Sequence, residues 1–172
     1  VGALDRIRSR ELQQASEEKF QNLFESSPDA IVVATRSGII HAVNRQAEKL
    51  FGYTRAELVG QVIESLMPAR FGPGHVAQRE RFHHNPHLRS MGEGRDLWAR
   101  HKDGTEFPAD ISLSPMMTTE GAMVISTIRD ITKRKRAETE LRHSRDRFEL
   151  VAYGAVDGIW DWNVVTNEDY FS

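Results

Sequence analysis

Histidine supplies most of the chemically versatile side chains in this sequence, because the chain contains seven histidines and no cysteine. Three of the histidines stand close together, at His83, His84 and His87. The interval from His83 to His87 would place two imidazoles on one face of a helix, as a metal site could use. Pro86 interrupts that helix, however, and no carboxylate follows closely enough to complete the ligand set. The pattern is therefore typical of a solvated loop.

Other residues with catalytic potential lack the neighbours that their chemistry needs. The absence of cysteine removes thiolate nucleophiles, disulfides and Cys-ligated metal sites. Gly92-Glu-Gly94 has neither the lysine nor the strand-to-helix setting of a phosphate-binding loop. His143 has no adjacent Glu or Asp of the kind that accompanies a phospho-accepting histidine, so we interpret it as a surface residue. The sequence thus indicates no catalytic centre of its own.

The charge balance and the hydropathy exclude several classes of partner. Twenty-three basic and 25 acidic residues give a net charge of −2, so we expect no nucleic-acid partner. The longest apolar run, Ala30 to Ala34, is far shorter than the ~20 residues of a membrane span. We therefore expect no direct membrane insertion of this segment. Val1 to Arg10 is polar and charged, unlike a secretion signal, and a cytoplasmic location is the expectation.

A mixture of helices and strands must hold these residues in place. Pro28 ends a first amphipathic helix, and Gly38 and Asp103-Gly104 supply the turns of two hairpins. Asn44 can cap the helix that follows it, and Thr54 with Glu57 matches a capping box. The predicted elements are a helix over 3–24, strands over 30–34 and 39–43, short helices from Asn44 and Thr54, a helix over 75–83, and strands over 95–100, 106–116 and 122–129. Two strands, several short helices and three further strands predict an α+β domain with an antiparallel sheet covered mainly on one face.

The sequence changes character after Asp130. A basic run, Lys133 to Arg136, leads into residues at intervals of 4, 3, 4 and 3, which is the a/d spacing of a coiled coil. These residues are Ala137, Leu141, Ser144, Phe148 and Val151. The segments Phe20 to Ile31 and Phe148 to Ile159 also repeat the same pattern with an offset of 128 residues. A tandem array of one module is the simplest explanation of that repeat.

The order and spacing of seven short motifs resemble those of PAS domains, the sensor modules of bacterial two-component kinases and cyclic-dinucleotide enzymes. The matching segments are Phe20-x-x-Leu-Phe-x-x-Ser-Pro-Asp-Ala-Ile31, Ile39-Ile-x-x-Val-Asn44, Ala47-Glu-x-Leu-Phe-Gly-Tyr53, Glu57-Leu-Val-Gly60, Leu66-Met-Pro68, Lys102-Asp-Gly-Thr-x-Phe-Pro108 and Ile128-Arg-Asp-Ile-Thr132. The resemblance implies a five-stranded antiparallel sheet whose inner face and short helices enclose a small pocket. It also implies that Asp130 to Thr132 is the junction to a signalling helix.

This resemblance divides the chain into four parts. They are an N-terminal amphipathic helix (1–25), a PAS sensor domain (26–131), a signalling helix or coiled-coil linker (132–151) and the start of a second PAS domain, cut off at Ser172 (152–172). The two flanking helices, over 3–24 and 133–151, are predicted to form the seam of a parallel homodimer. Adjacent PAS and output domains of the same chain are the other expected partners.

A narrower resemblance concerns the ligand. His75, seven residues after Pro68, resembles the proximal iron ligand of haem-binding PAS domains from oxygen-sensing kinases, and Arg95 resembles their distal arginine. By the same resemblance, Arg81 falls near a propionate-contacting arginine, and Ile111 and Leu113 fall at the apolar wall over the gas site. Haem b is therefore one candidate cofactor, and His75 is a metal ligand only if that metal is haem iron. A pocket that is empty or holds a small metabolite remains the alternative, and flavin is disfavoured because the cysteine of photoactive flavin domains is missing.

These features predict a sensory and dimerisation module within a multidomain histidine kinase or diguanylate cyclase/phosphodiesterase. A change in the pocket, or in the packing of the flanking helices, would be relayed through the helix after Thr132. Two alternatives stay open: a haem-based oxygen or gas sensor that uses His75, and a ligand-free scaffold for protein interaction. In each of these the segment is regulatory and not an enzyme.

Overall fold

The computed structural model of the chain describes residues 3–91, 97–154, 160–163 and 168–171. It falls into two compact units, Val1–Ile131 and Thr132–Ser172. No helix in the described part of the chain combines the length and apolar character that a membrane span requires.

The first unit contains the predicted alternation of helices and strands. Its elements are α1 (Ala3–Ser26), β1 (Ala30–Thr35), β2 (Ile40–Val43), α2 (Arg45–Phe51), α3 (Arg55–Leu58), two 3-10 helices (Ile63–Leu66 and Ala69–Phe71), α4 (Gly72–His84), β3 (Arg89–Ser90), β4 (Leu97–Arg100), β5 (Glu106–Thr118) and β6 (Gly121–Asp130). α4 begins three residues earlier than the sequence predicted, because Pro73 in its first turn suits a helix start.

All strands of the first unit join one antiparallel sheet. Its order is β2-β1-β6-β5, and the outer edge of β5 pairs with β4 near one end and with β3 near the other. The predicted five-stranded antiparallel α+β fold is therefore confirmed, with the two-residue β3 as an addition beside β4. β6 lies in the centre of the sheet, bonded to β1 on one side and to β5 on the other.

The short helices cover the inner face of the sheet and build the core with it. Phe51 of α2 meets Phe107 of β5 with ring centroids 6.0 Å apart. The buried core comprises Ala30, Val32, Ile40, Val43, Ala47, Phe51, Leu58, Leu66, Ala99, Phe107, Ala109 and Ile128. Because these side chains come from both the strands and the helices, the sheet and α2 form one packed body.

Two glycines make the hairpin turns that the sequence predicted. Gly38, between β1 and β2, has a φ of 86°, and Gly104, between β4 and β5, has a φ of 90°. Both values lie in the left-handed region that favours glycine. A Cβ at Gly38 would also meet the guanidinium of Arg79 from α4, so the Arg79 side chain would have to shift in addition to the backbone strain.

The second unit contains α5 (Thr132–Gly154), β7 (Trp160–Asn163) and β8 (Glu168–Phe171). β7 and β8 pair antiparallel, with Trp160 opposite Phe171 and Asp161 opposite Tyr170. In the first unit Val32 is opposite Val43 and Val33 is opposite Ala42, so each partner recurs 128 residues later. The helix–strand–strand order and the register of the first unit are thus repeated in the second.

Candidate functional site

His75 belongs to a charged cluster that joins α4 to the first 3-10 helix. Its Nδ1 lies 2.8 Å from Glu64 Oε1, and Nη1 of Arg79, one turn further along α4, donates to the same oxygen. Glu64 and Arg79 are each 15% exposed and His75 is 24% exposed, so water only partly screens the charges. Because Arg79 also lies against Gly38, the cluster attaches α4 to the β1–β2 turn.

The His75–Glu64 contact has a chemical consequence for the imidazole. When Nδ1–H donates to the carboxylate, Nε2 carries the lone pair and can bind an electrophile or accept a hydrogen bond. Metal-bound histidines in proteins commonly have such a carboxylate on the other nitrogen. Held in this way, His75 would be able to offer its Nε2 lone pair to a haem iron. The sequence singled out His75 but gave no sign of Glu64, because the two residues are neighbours only in the folded chain.

The other residues proposed for a haem site occupy different surroundings. Ile111 packs against the core and stands opposite Ile128, while Leu113, two residues along the same face of β5, stands opposite Ser126. These two side chains therefore share the inner face of the sheet, as a pocket wall would. Arg81 is exposed, and its Nε donates to Ala77 O on its own helix at 3.4 Å. Arg95 lies outside the described residues.

His83, His84 and His87 follow at the end of α4. Among the described residues, no group of three His, Asp or Glu side chains is arranged to hold a metal ion. His83 Nε2 is buried without a hydrogen-bond partner. Burial, and then the positive charge of Arg36, lower the pKa of His83 below its ordinary value, so the neutral imidazole is favoured.

A second polar centre, around Asn44, lies at the end of the β1–β2 hairpin that is remote from Gly38. This residue is 0% exposed, and its side chain makes four hydrogen bonds. Oδ1 accepts from Ile31 N and Ala47 N, both at 2.9 Å, while Nδ2 donates to Phe24 O at 3.1 Å and Asp29 O at 3.0 Å. One side chain thus joins the end of α1, the start of β1 and the first turn of α2. The sequence predicted only its capping role.

Asp29 connects this centre to the end of the sheet. Its carboxylate accepts two hydrogen bonds from Arg129 of β6, from Nε at 2.8 Å and from Nη2 at 2.7 Å. The bonds from Arg129 hold the pKa of Asp29 below its ordinary value, against the raising effect of partial burial. The two-pronged geometry fixes both the distance and the orientation of the pair. Glu25 adds another tie, because it accepts from Arg45 N at 2.9 Å and from Arg55 Nη2 at 2.5 Å.

α5 leaves large apolar side chains uncovered. Leu141 and Leu150 are about three-quarters exposed, at 74% and 73%, and Phe148 is 56% exposed. Pairs of opposite charge one turn apart, Arg134–Glu138 and Arg145–Glu149, line the same helix. Such pairs support a solvated helix surface.

An antiparallel sheet with its last strand in the centre and short helices over one face defines the class of α+β domains built on a single sheet. The chain belongs to the PAS domain family, which matches residues 28–133. PAS domains are regulatory domains. The family expected from the sequence motifs is therefore confirmed.

The relatives of the chain include bacterial sensor proteins. Sensor protein FixL from Bradyrhizobium diazoefficiens is 29% identical over 128 residues, which are 73% of this chain and 25% of FixL. The cell-division control histidine kinase PdhS from Brucella abortus is 26% identical over 136 residues, which are 79% of this chain and 13% of PdhS. The chain thus spans about a quarter of FixL and about an eighth of PdhS.

Solved structures show the same fold. The PAS domain of an HTR-like protein from Haloarcula marismortui has a TM-score of 0.62 at 23% identity and covers 73% of this chain and 99% of that domain. The PAS domain of a protein from Colwellia psychrerythraea has a TM-score of 0.58 at 23% identity and covers 71% of this chain and 98% of that domain.

Proposed function

We propose that this chain is a sensory and dimerisation module of a multidomain bacterial signalling protein, of the histidine kinase or diguanylate cyclase/phosphodiesterase type. It relays changes in its pocket or packing to the neighbouring PAS and output domains through α5. The relationship to FixL and PdhS supports the histidine kinase context most directly, because FixL is a sensor protein and PdhS a histidine kinase by name.

The observation that carries this proposal is the path of the chain from β6 to α5. β6 is the central strand of the sheet, so a change in the sheet's curvature reaches it from both neighbours. Ile131, the single residue between β6 and α5, is buried, and its N–H donates to Pro108 O at 3.0 Å. The start of α5 is therefore attached to the sheet by a fixed residue and not by a long loop.

The exposed apolar residues of the flanking helices support a parallel homodimer. Ala137, Leu141, Ser144 and Phe148 keep the a/d spacing on α5, and the two large side chains among them are exposed. On α1, Leu12, Phe20 and Leu23 are exposed and fall on one face of the helix. A second copy of the chain supplies an identical seam, which makes it the occupant that this spacing fits.

The repeat in the second unit supports a tandem arrangement. α5, β7 and β8 recur about 128 residues after α1, β1 and β2, and the strand register is the same at two successive pairs. We infer that residues 152–172 begin a second PAS domain. α5 then serves both as the output helix of the first domain and as the entry helix of the second.

Disulfide mapping tests the seam, because the natural chain has no cysteine to interfere. We expect Leu141→Cys to form an intermolecular disulfide under mild oxidation, since Leu141 is an a position and equivalent a positions face each other across a parallel dimer. Arg142→Cys, one residue away on the same exposed helix, is the matched control and should cross-link far less. Equal cross-linking of the two variants, or none with a monomeric mass in solution, would contradict the dimer.

A register experiment tests the relay itself and separates it from the scaffold alternative. In the whole protein that carries this chain, two residues inserted after Arg136 rotate the rest of α5 by about 200°, whereas seven residues preserve the heptad register. A relay predicts a large change in output activity with two residues and near-normal activity with seven. A ligand-free scaffold predicts that the two insertions give the same output.

A second candidate function, a haem-based gas sensor, is favoured by the His75–Glu64 pair. Haem iron held there would bind a diatomic gas such as oxygen. Glu64 would orient the imidazole, and Ile111 and Leu113 supply apolar surface on the sheet's inner face. We expect protein supplied with haem b to show a Soret band that His75→Ala removes. His84→Ala, on the exposed surface of the same helix, should keep the band. No band in the unaltered chain would overturn the haem candidate and leave the sensory proposal standing.

A further inference from the structure

The helix that enters the PAS domain and the strand that leaves it are tied to the same residue, Asp29. The main-chain carbonyl of Asp29 accepts from Asn44 Nδ2, and its carboxylate accepts two bonds from Arg129. Asn44 Nδ2 also donates to Phe24 O, in the last turn of α1. Arg129 is the second-last residue of β6, three positions before α5 begins at Thr132.

The α1 end of this path is sensitive because Asn44 is completely buried. A buried amide has no water with which to replace a lost partner, so each unmade bond costs more than at the surface. If the last turn of α1 moves, Asn44 must follow Phe24 O or leave that carbonyl unpaired. Following it shifts the contact with Asp29 O, because both bonds come from the same nitrogen.

At the α5 end of the path, Arg129 holds Asp29 with two parallel bonds. The Arg129 side chain is 63% exposed, so the ion pair sets the geometry and the strand pairing beside it supplies the stiffness. A planar guanidinium in this arrangement resists both sliding and rotation of the carboxylate. The backbone supplies a parallel connection, since Ala30 pairs with Ile128 in the sheet, one residue from each member of the ion pair. Displacement of Asp29 is therefore transferred to the end of β6.

We propose that Asn44, Asp29 and Arg129 form a direct mechanical link from α1 to α5, so that the domain passes movement of its entry helix to its exit helix without a pocket ligand. This inference rests on the proposed role of α5 as output helix. It adds a second input, an upstream partner acting through α1, to the input from the pocket. In a tandem array the exit helix of one domain is the entry helix of the next, so the same link would connect successive domains.

Hydrogen–deuterium exchange of the whole 172-residue chain tests the link at both of its ends. We expect Arg129→Gln to raise amide exchange several-fold at the end of α1 (residues 20–26) and at the start of α5 (residues 133–140), although the substitution touches neither helix. Arg70→Gln is the matched control, because it breaks an exposed ion pair with Glu106 of 2.7 Å elsewhere in the unit. It should leave both segments unchanged.

A double variant that exchanges the two charges, Asp29→Arg with Arg129→Asp, tests whether restoring the ion pair restores slow exchange. It rebuilds the ion pair in the opposite sense, and we expect exchange at both segments to return toward the wild-type rate. Faster exchange at α5 alone in Arg129→Gln, with residues 20–26 unchanged, would overturn the link. This readout needs no output domain, so its failure is distinct from a failure of the register experiment on α5.

Discussion

Two helices of the first unit, α2 and α4, differ in how they are attached to the core. α2 has seven residues, of which Ala47 and Phe51 are buried, and Asn44 caps its start with a side-chain bond to Ala47 N. α4 has 13 residues, of which only Phe82 is buried, and no side chain caps its start. Its attachment relies on the Glu64–His75–Arg79 cluster and on the fit of Arg79 against Gly38.

This difference separates a rigid part of the domain, which we call the frame, from the more mobile helix α4, which we call the wall. A helix held by apolar burial and buried hydrogen bonds moves only if the core is disrupted. A helix held mainly by partly exposed charges can shift at a smaller free-energy cost, because water replaces some of the lost contacts. We infer that α2 and the sheet form the frame, to which the last turn of α1 is tied through Asn44, and that α4 is where a ligand can be accommodated.

The largest difference in unfolding free energy should come from removing one phenylalanine of α2 and, separately, one of α4. Phe51→Ala removes a ring from the centre of the core, and we expect it to lower the free energy of unfolding by about 3–5 kcal/mol. Phe82→Ala should cost less, about 1–2 kcal/mol, because Phe82, although buried, lies outside the core cluster and has His83 and His87 as its aromatic neighbours. Urea denaturation of the two variants measures both values. Equal losses would remove the distinction between frame and wall.

A smaller but more specific effect is expected at Asn44. Asn44→Ala leaves the N–H groups of Ile31 and Ala47 and two carbonyls without their side-chain partner, so we expect a loss of about 2–4 kcal/mol. Asn85→Ala, at the exposed C-terminal end of α4, is the matched control and should change stability little. A loss at Asn44 no larger than that at Asn85 would show that the buried bonds do not hold the frame together.

How far the sequence predicted these features depends on the range of the interaction. The Asn44 cap, the Thr54/Glu57 capping box and the turns at Gly38 and Gly104 were all predicted and are confirmed, because each depends on residues within a few positions of one another. Local chemistry of this kind is visible in the chain before it folds. The family motifs then supplied the order in which the elements assemble.

The polar connections between elements could not be predicted in this way. Asp29 and Arg129 are 100 residues apart, and Glu64 is 11 and 15 residues from His75 and Arg79. No periodicity in the sequence relates such positions, and each of these residue types is common on the surface of any protein. The two-residue strand β3 was missed for a related reason, since Arg89 and Ser90 are strand-forming only through their pairing with Leu113 and Ser112.

The smallest expected effect concerns the response of α4 to acid. Burial lowers the folded-state pKa of His83, so the stability that its neutral form supports is present above the unfolded pKa of about 6.5 and is lost as pH falls through the folded value. Between pH 7 and pH 5, we expect His83→Gln to lose less unfolding free energy than the wild type. Gln78→Ala, at an exposed and non-titratable position of the same helix, should lose as much as the wild type. If His83→Gln loses the same unfolding free energy as this control, His83 is not the group that makes α4 acid-sensitive.

The most direct test of the division between frame and wall is amide hydrogen exchange in the unaltered chain. The amides of Ile31 and Ala47, which donate to Asn44 Oδ1, should exchange only through near-global unfolding. The amides of α4 over residues 76–84 should be less protected by about tenfold or more, because that helix opens while the frame stays folded. Equal protection of the two sets would contradict the account, since α4 would then be as firmly built into the domain as α2.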